Sequence, residues 1–198
     1  MKYENFQTFT VDAKDAIATV TFDFGTVNVQ GQEMLADLNS LAMRLERDRN
    51  VKVVVFESAN PEIWVCHYDT ELLKDMSTET VSREEAQLLD LQSVCERISK
   101  VPQATIAKLE GFARGGGHEL ALALDMRFAV RGKFKFMQME VGMGILPCGG
   151  GASPHGTPDR SWSRAGNHPE RPRLRRRPGR SNGHHQQGAE RRRDRRIC

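Results

Sequence analysis

The stretch EGFARGGGHELALALDMRFAVRGKFKFMQMEVGMGILPCGGG, residues 110–151, decides how this chain is read. Just before it, Thr105–Leu109 (TIAKL) is a short apolar run with β-branched residues, the pattern of a buried strand. Gly115, Gly116 and Gly117 close the connection, and from His118 the text HELALALDM has helical composition without a breaker. Glycines that open a helix let the backbone come close to a ligand, because no Cβ intrudes. They also leave free N–H groups at the positive end of the helix dipole. Such a site can hold a phosphate or a developing oxyanion on a thioester carbonyl. The spacing is neither GxGxxG nor a P-loop, which needs a following Lys-Ser/Thr. On the glycines alone, a tight strand-to-helix turn with no ligand explains the text equally well.

Two carboxylates flank the run. Glu119 falls in the first turn of the expected helix, where the dipole favours a negative charge even without a chemical role. Glu140 follows the strand-like Phe136-Met137-Gln138-Met139 and is either a loop charge or a desolvated acid. Two carboxylates in one pocket can divide acid and base work, although spacing does not establish that they meet. Met137, Met139 and Met143 suit either an acyl channel or an ordinary core. His118 and Asp125 read as structural, the latter as a hydrogen bonder at an element end.

Outward from this stretch the text is scaffold. Strands are expected over Phe6–Val11 and Ile17–Phe22, turning through Asp12–Asp15, with Phe24–Val29 as a loop. Gln32–Arg49 is amphipathic, with Leu35, Leu38, Leu41, Ala42 and Leu45 on one face. Val51–Phe56 is a buried strand, and strand–helix–strand implies a right-handed crossover in a parallel sheet. In Pro61–Leu73, helical periodicity restarts only near Thr70, so Cys66, His67, Tyr68 and Asp69 lie on a loop with free amides. Cys66 reads as a small apolar residue, and His67 as a loop histidine that packs or hydrogen-bonds. A second amphipathic helix is expected from Ser82, with Glu85 completing a capping box and Leu88, Leu91, Cys95 and Ile98 as its stripe.

GFARGGGHELALALDMRFA, the run FMQMEVGMGILPCGGG and the upstream WVCHYD closely resemble the enoyl-CoA hydratase/isomerase (crotonase) family, over residues 11–153. The resemblance implies an α/β fold, a ββα spiral core, and a protein that hydrates or isomerises the double bond of an acyl-CoA. It implies an oxyanion hole from the amides of Tyr68 and Gly116, with Glu119 and Glu140 as the catalytic acids. Cys66, His67, Asp69, Gly115 and Gly117 would form the surrounding substrate-binding wall. At Cys66, His67 and Tyr68 the family more often has small residues, so the larger side chains here bear on the size of the acyl pocket. No cofactor is expected beyond the coenzyme A of the substrate, and no metal. The family assembles as homotrimers or dimers of trimers.

The charge divides the chain. Residues 1–153 carry a net −6 and residues 154–198 a net +9, the latter through 13 arginines and no lysine. After Ser153 the large apolar residues are Trp162, Leu174 and Ile197, too few to offset chain entropy, so residues 154–198 are expected to be disordered. An Arg-rich nucleic-acid-binding tail is one reading. A frameshift at Ser153 is the better one, because Arg, Pro, Gly and His without Lys is the product of GC-rich DNA read out of frame. Back-translated and moved by one nucleotide, residues 154–164 can spell RMARLTGLGRA, text like the family's continuation. On this reading residues 1–153 are an incomplete core and residues 154–198 an out-of-frame tail. The helices that cover the acyl pocket and make the trimer contact are lost, so the literal chain is expected to be aggregation-prone and inactive. The alternatives are a non-catalytic fragment and a basic-tailed nucleic-acid binder. Four cysteines without ligand or disulfide spacing, an N-terminus without a signal core, and no long apolar run give a cytoplasmic expectation with no membrane partner.

Overall fold

The computed structural model describes residues 2–150 apart from Asp75, Met76, Thr78 and Arg83. The expected tail over 154–198 therefore lies outside the described residues. The chain opens with a hairpin of β1 (Phe9–Lys14) and β2 (Ile17–Phe22), then α1 (Gln32–Leu45) and β3 (Val53–Ser58). There follow β4 (Ile63–Val65), a 3₁₀ turn (Thr70–Leu73), α2 (Asp90–Ile98), β5 (Ala104–Leu109), β6 (Phe112–Arg114), α3 (Gly116–Ala123), β7 (Met126–Ala129), β8 (Lys135–Met137) and a 3₁₀ turn (Glu140–Met143).

The strands make two sheets, one of five in the order β1-β2-β3-β5-β7 and one of three in the order β4-β6-β8. Beyond the hairpin every pairing is parallel. Each turn of the chain therefore lays one strand on the larger sheet and the next on the smaller. That is the ββα spiral expected from the sequence. The core lies between sheet and helices, around Phe22, whose ring packs edge-on to Trp64 at 5.3 Å and against Phe56 at 6.2 Å. The Trp64 indole N–H donates to the Phe56 carbonyl at 3.1 Å, so burial leaves no orphan donor there.

The boundaries differ from the sequence reading for identifiable reasons. The hairpin turns at Asp15 and Ala16, not across Asp12–Asp15, and pairs Lys14 with Ile17. Both turn residues have positive φ, 52° and 66°, the two-residue geometry whose twist matches the strands. An exposed alanine in that region is strained by about 1–2 kcal/mol. Ala16→Gly is accordingly expected to raise stability by about 0.5–1 kcal/mol after the unfolded-state entropy of glycine is set against it. Urea unfolding measures this, and an unchanged midpoint would contradict it.

Helix α1 stops at Leu45, not Arg49. The buried Gln103 carboxamide donates to the Leu45 and Asp48 carbonyls at 2.8 and 2.9 Å, taking up acceptors that a longer helix would use. Its buried face holds the five predicted residues and also Met34 and Asp37. The Asp37 carboxylate accepts from the Gln7 and Thr8 amides and the Thr8 hydroxyl at 2.7–2.9 Å, which ties down the N-terminal segment.

Helix α2 starts at Asp90, eight residues after the expected Ser82. Ser82 and Glu85 do make their side-chain bond, at 2.7 Å, but around a single turn. Leu88 is 59% exposed, whereas Leu91, Val94, Cys95 and Ile98 are buried. Helical structure persists only where the apolar stripe has something to pack on.

Candidate active site

The three glycines where β6 gives way to α3 meet three separate demands. Gly115 sits at φ +47°, in the left-handed region. A Cβ on Gly116 would lie 2.2 Å from Gln30 Oε1 and 3.1 Å from the Tyr68 amide nitrogen. One on Gly117 would lie 2.2 Å from the Val65 carbonyl oxygen. The first glycine is needed for conformation. The other two let the start of α3 press against β4 and the segment that follows it. The helix opens at Gly116, two residues before the expected His118.

That following segment is held from the other side by Gln30, whose N–H donates to the His67 carbonyl at 2.9 Å while its carbonyl accepts from Asp69 at 3.0 Å. In this parallel bridge the amide of Tyr68 points away from Gln30, towards Gly116. Among the described residues neither the Tyr68 nor the Gly116 N–H donates to a main-chain carbonyl. The two free amides are brought together by elements about fifty residues apart in sequence.

The neighbours of Tyr68 are engaged in holding this shape. His67 Nδ1 lies 2.7 Å from the Tyr68 carbonyl oxygen and donates to it. Asp69 caps the following 3₁₀ turn by accepting from the Glu71 amide at 3.0 Å. Cys66 is buried, and its sulfur accepts from Arg114 Nη2 at 2.9 Å. Burial, followed by Asp90 and Asp69, raises the Tyr68 phenol above its usual value, so the ring stays protonated.

Both glutamates are buried at the same end. Glu119, on the first turn of α3, is 2% exposed, and its Oε1 accepts from the Gly149 N–H at 2.7 Å. Glu140, which opens the last 3₁₀ turn, is 9% exposed. Its Oε1 lies 3.2 Å from where a Cβ on Gly115 would stand. Its Oε2 is buried without a hydrogen-bond partner among the described residues, a costly arrangement for a carboxylate unless a ligand completes it. Cys148 lies within the field of both acids: burial first, then Glu119 and Glu140, push its thiol up. Burial, with Glu119 adding to it, pushes the Cys95 thiol up to about 12. Neither thiol therefore supplies a thiolate near neutral pH.

His118 stacks on Phe136 and bonds Gln138, as a structural histidine should. Asp125 accepts from the Thr105 amide and hydroxyl at 2.8 and 2.9 Å. Met137 and Met143 are about half exposed, so neither is core. The sequence reading missed Gln30. No local pattern marks it: it follows Val27-Asn28-Val29, and what singles it out is its bridge to Tyr68.

The family model for enoyl-CoA hydratase/isomerase matches residues 12–154. The chain belongs to the enoyl-CoA hydratase/isomerase family. Among its hydratase relatives is the mouse protein named enoyl-CoA hydratase domain-containing protein 2, mitochondrial. It is 34% identical over 124 residues, which is 63% of this chain and 40% of that protein. A short-chain-enoyl-CoA hydratase of Clostridium acetobutylicum is 29% identical over 142 residues, 71% of this chain and 53% of that one. The solved enoyl-CoA hydratase of Geobacillus kaustophilus superposes with a TM-score of 0.69 at 29% identity, covering 82% of this chain and 60% of its own. The chain thus spans about half the length of the hydratase relatives it matches. The hydratase-family match ends one residue past Ser153, the position at which composition changes.

Proposed function

We propose that the site adds water across the double bond of a 2-enoyl-CoA thioester. The observation that carries this is the pairing of the free amides of Tyr68 and Gly116 beside two buried glutamates, one with an orphan oxygen. The thioester oxygen would accept from both N–H groups. As electron density moves onto it during attack at the β-carbon, those bonds strengthen, each worth about 3–4 kcal/mol in the transition state. One carboxylate would take a proton from the attacking water and the other deliver one to the α-carbon, a division of labour worth about 10²–10⁴ in rate. The amides stand on rigid supports, α3 on one side and the Gln30 bridge on the other. Little reorganisation would then be required when substrate binds.

The same reading takes residues after Ser153 as out of frame, so that the part of the family fold completing the acyl pocket is not encoded in this chain. It is supported by the arginine-rich, lysine-free composition and by the end of the family match at residue 154. Two chains test both parts together: the 198-residue protein, and one whose reading frame is restored after Ser153. Hydration of crotonyl-CoA, followed by loss of the conjugated thioester absorbance, is expected in the restored chain alone. Turnover by the 198-residue protein would sink the frameshift reading. No turnover in either would sink the hydratase reading. Double-bond migration without hydration would make the site an isomerase.

A further inference from the structure

The two acids sit on different elements, Glu119 on α3 and Glu140 just past β8. Among the described residues, a side-chain pair joins those elements next to the acids. His118, the residue before Glu119, places Nδ1 2.6 Å from Oε1 of Gln138, two residues before Glu140. The imidazole also stacks on Phe136, with centroids 4.2 Å apart and planes at 27°, and Phe136 meets Phe134 edge-on at 4.3 Å. The ring plane is therefore fixed, and the hydrogen bond lies along the seam where the Gly115 N–H also donates to the Met137 carbonyl at 2.9 Å. An amide oxygen can only accept, so His118 is the Nδ1–H tautomer. Its burial, the largest influence on it, keeps the ring neutral by lowering its pKa.

This pair is not what packing alone would select. His118 Nε2 and Gln138 Nε2 are both buried without a hydrogen-bond partner among the described residues. An apolar pair of the same shape would stack on Phe136 as well and leave no polar atom unsatisfied. Such groups call for an explanation, and the bond that each of them retains offers one. Here the remaining bond ties together the two carboxylate-bearing elements.

We propose that the His118–Gln138 hydrogen bond is a positioning device that sets the separation of the Glu119 and Glu140 carboxylates, while touching no substrate itself. It rests on the assignment of both glutamates to the chemistry. A displacement of about 1 Å at reacting groups can lower a rate by about 10²-fold, so a clamp at this seam has leverage out of proportion to one bond.

The test separates the clamp from the reaction. In the frame-restored chain without substrate, carbon-13 NMR follows the titration of the Glu119 and Glu140 carboxyls, which needs no turnover. His118→Phe keeps the stack and loses the N–H. His118→Asn returns an N–H close to the Nδ1 position. The expected result is a shift of at least one carboxyl titration by about half a unit or more in His118→Phe, reversed in His118→Asn. Gln138→Leu breaks the bond from the other side and gives the same reading if His118→Phe does not fold. In the frame-restored chain, His118→Phe is expected to lower kcat by about 10- to 100-fold with KM within about twofold. Carboxyl titrations that superpose on wild type in both His118→Phe and Gln138→Leu would overturn the proposal. So would a kcat loss that merely tracks the folded fraction. Failure of the restored wild type to hydrate any enoyl-CoA would count against the hydratase reading, and the NMR outcome would still decide the clamp.

Discussion

Glu119→Gln and Glu140→Gln, each introduced into the frame-restored chain, are expected to lower kcat for crotonyl-CoA hydration by about 10²–10⁴-fold. The two changes should leave folding nearly untouched, for different reasons. A glutamine at 119 retains a carbonyl oxygen to accept the Gly149 N–H that now reaches Glu119 Oε1 at 2.7 Å. A glutamine at 140 removes charge from a side chain whose Oε2 already has no partner among the described residues. Neither removes the Tyr68 or Gly116 amide, so thioester binding should persist, and KM should change far less than kcat. If the two acids act as a unit, the double variant will be little worse than either single one. Steady-state kinetics beside thermal unfolding of the same samples measures both quantities. Full turnover in both variants would remove the two-acid mechanism. Loss confined to Glu140→Gln would leave one carboxylate working alone.

Gly117→Ala in the frame-restored chain is expected to cost about 3 kcal/mol of stability, at the upper end of what overpacking costs. The added methyl would stand 2.2 Å from the Val65 carbonyl oxygen and 2.9 Å from its carbonyl carbon and Cβ. Most of that obstacle is backbone, so no rotamer change relieves it. Helix α3 must move off β4, and in moving it carries Gly116 away from Tyr68 and Glu119 away from Gly149. Stability and activity should therefore fall together, unlike the glutamate variants. Gly142→Ala is the control: nothing lies within 4 Å of its added Cβ, and its stability should stay within about 0.5 kcal/mol of wild type. Denaturant unfolding of the two variants side by side measures the difference. Equal midpoints would mean that the close approach of α3 to β4 does not hold in solution.

Periodicity located the elements whose burial is decided locally. The α1 stripe and the β3 and β5 runs can be read from residue order, because each depends on its own pattern of apolar and polar side chains. Of the amides expected free at 66–69, by contrast, those of Cys66 and Asp69 donate to the Val27 and Gln30 carbonyls. The elements read wrongly depend on a partner remote in sequence. Gln103 ends α1 from more than fifty residues away, and α2 begins only where a neighbour receives Leu91. Gln30 and the His118–Gln138 bond were invisible for the same reason. Gln30 matters because it brackets Tyr68 across a parallel bridge.

Residue order by itself determined the chemistry on offer: three glycines opening a helix, a carboxylate on either side of a strand, and a family resemblance that the family match over residues 12–154 bears out. Whether those groups meet was settled by tertiary structure. Two strands about fifty residues apart had to align before the Tyr68 amide could face Gly116. Spacing along the chain says nothing about distance across a spiral, since each turn returns the backbone to the same edge by way of a helix. Side-chain volume and main-chain approach fix that return, and neither is written in any local pattern.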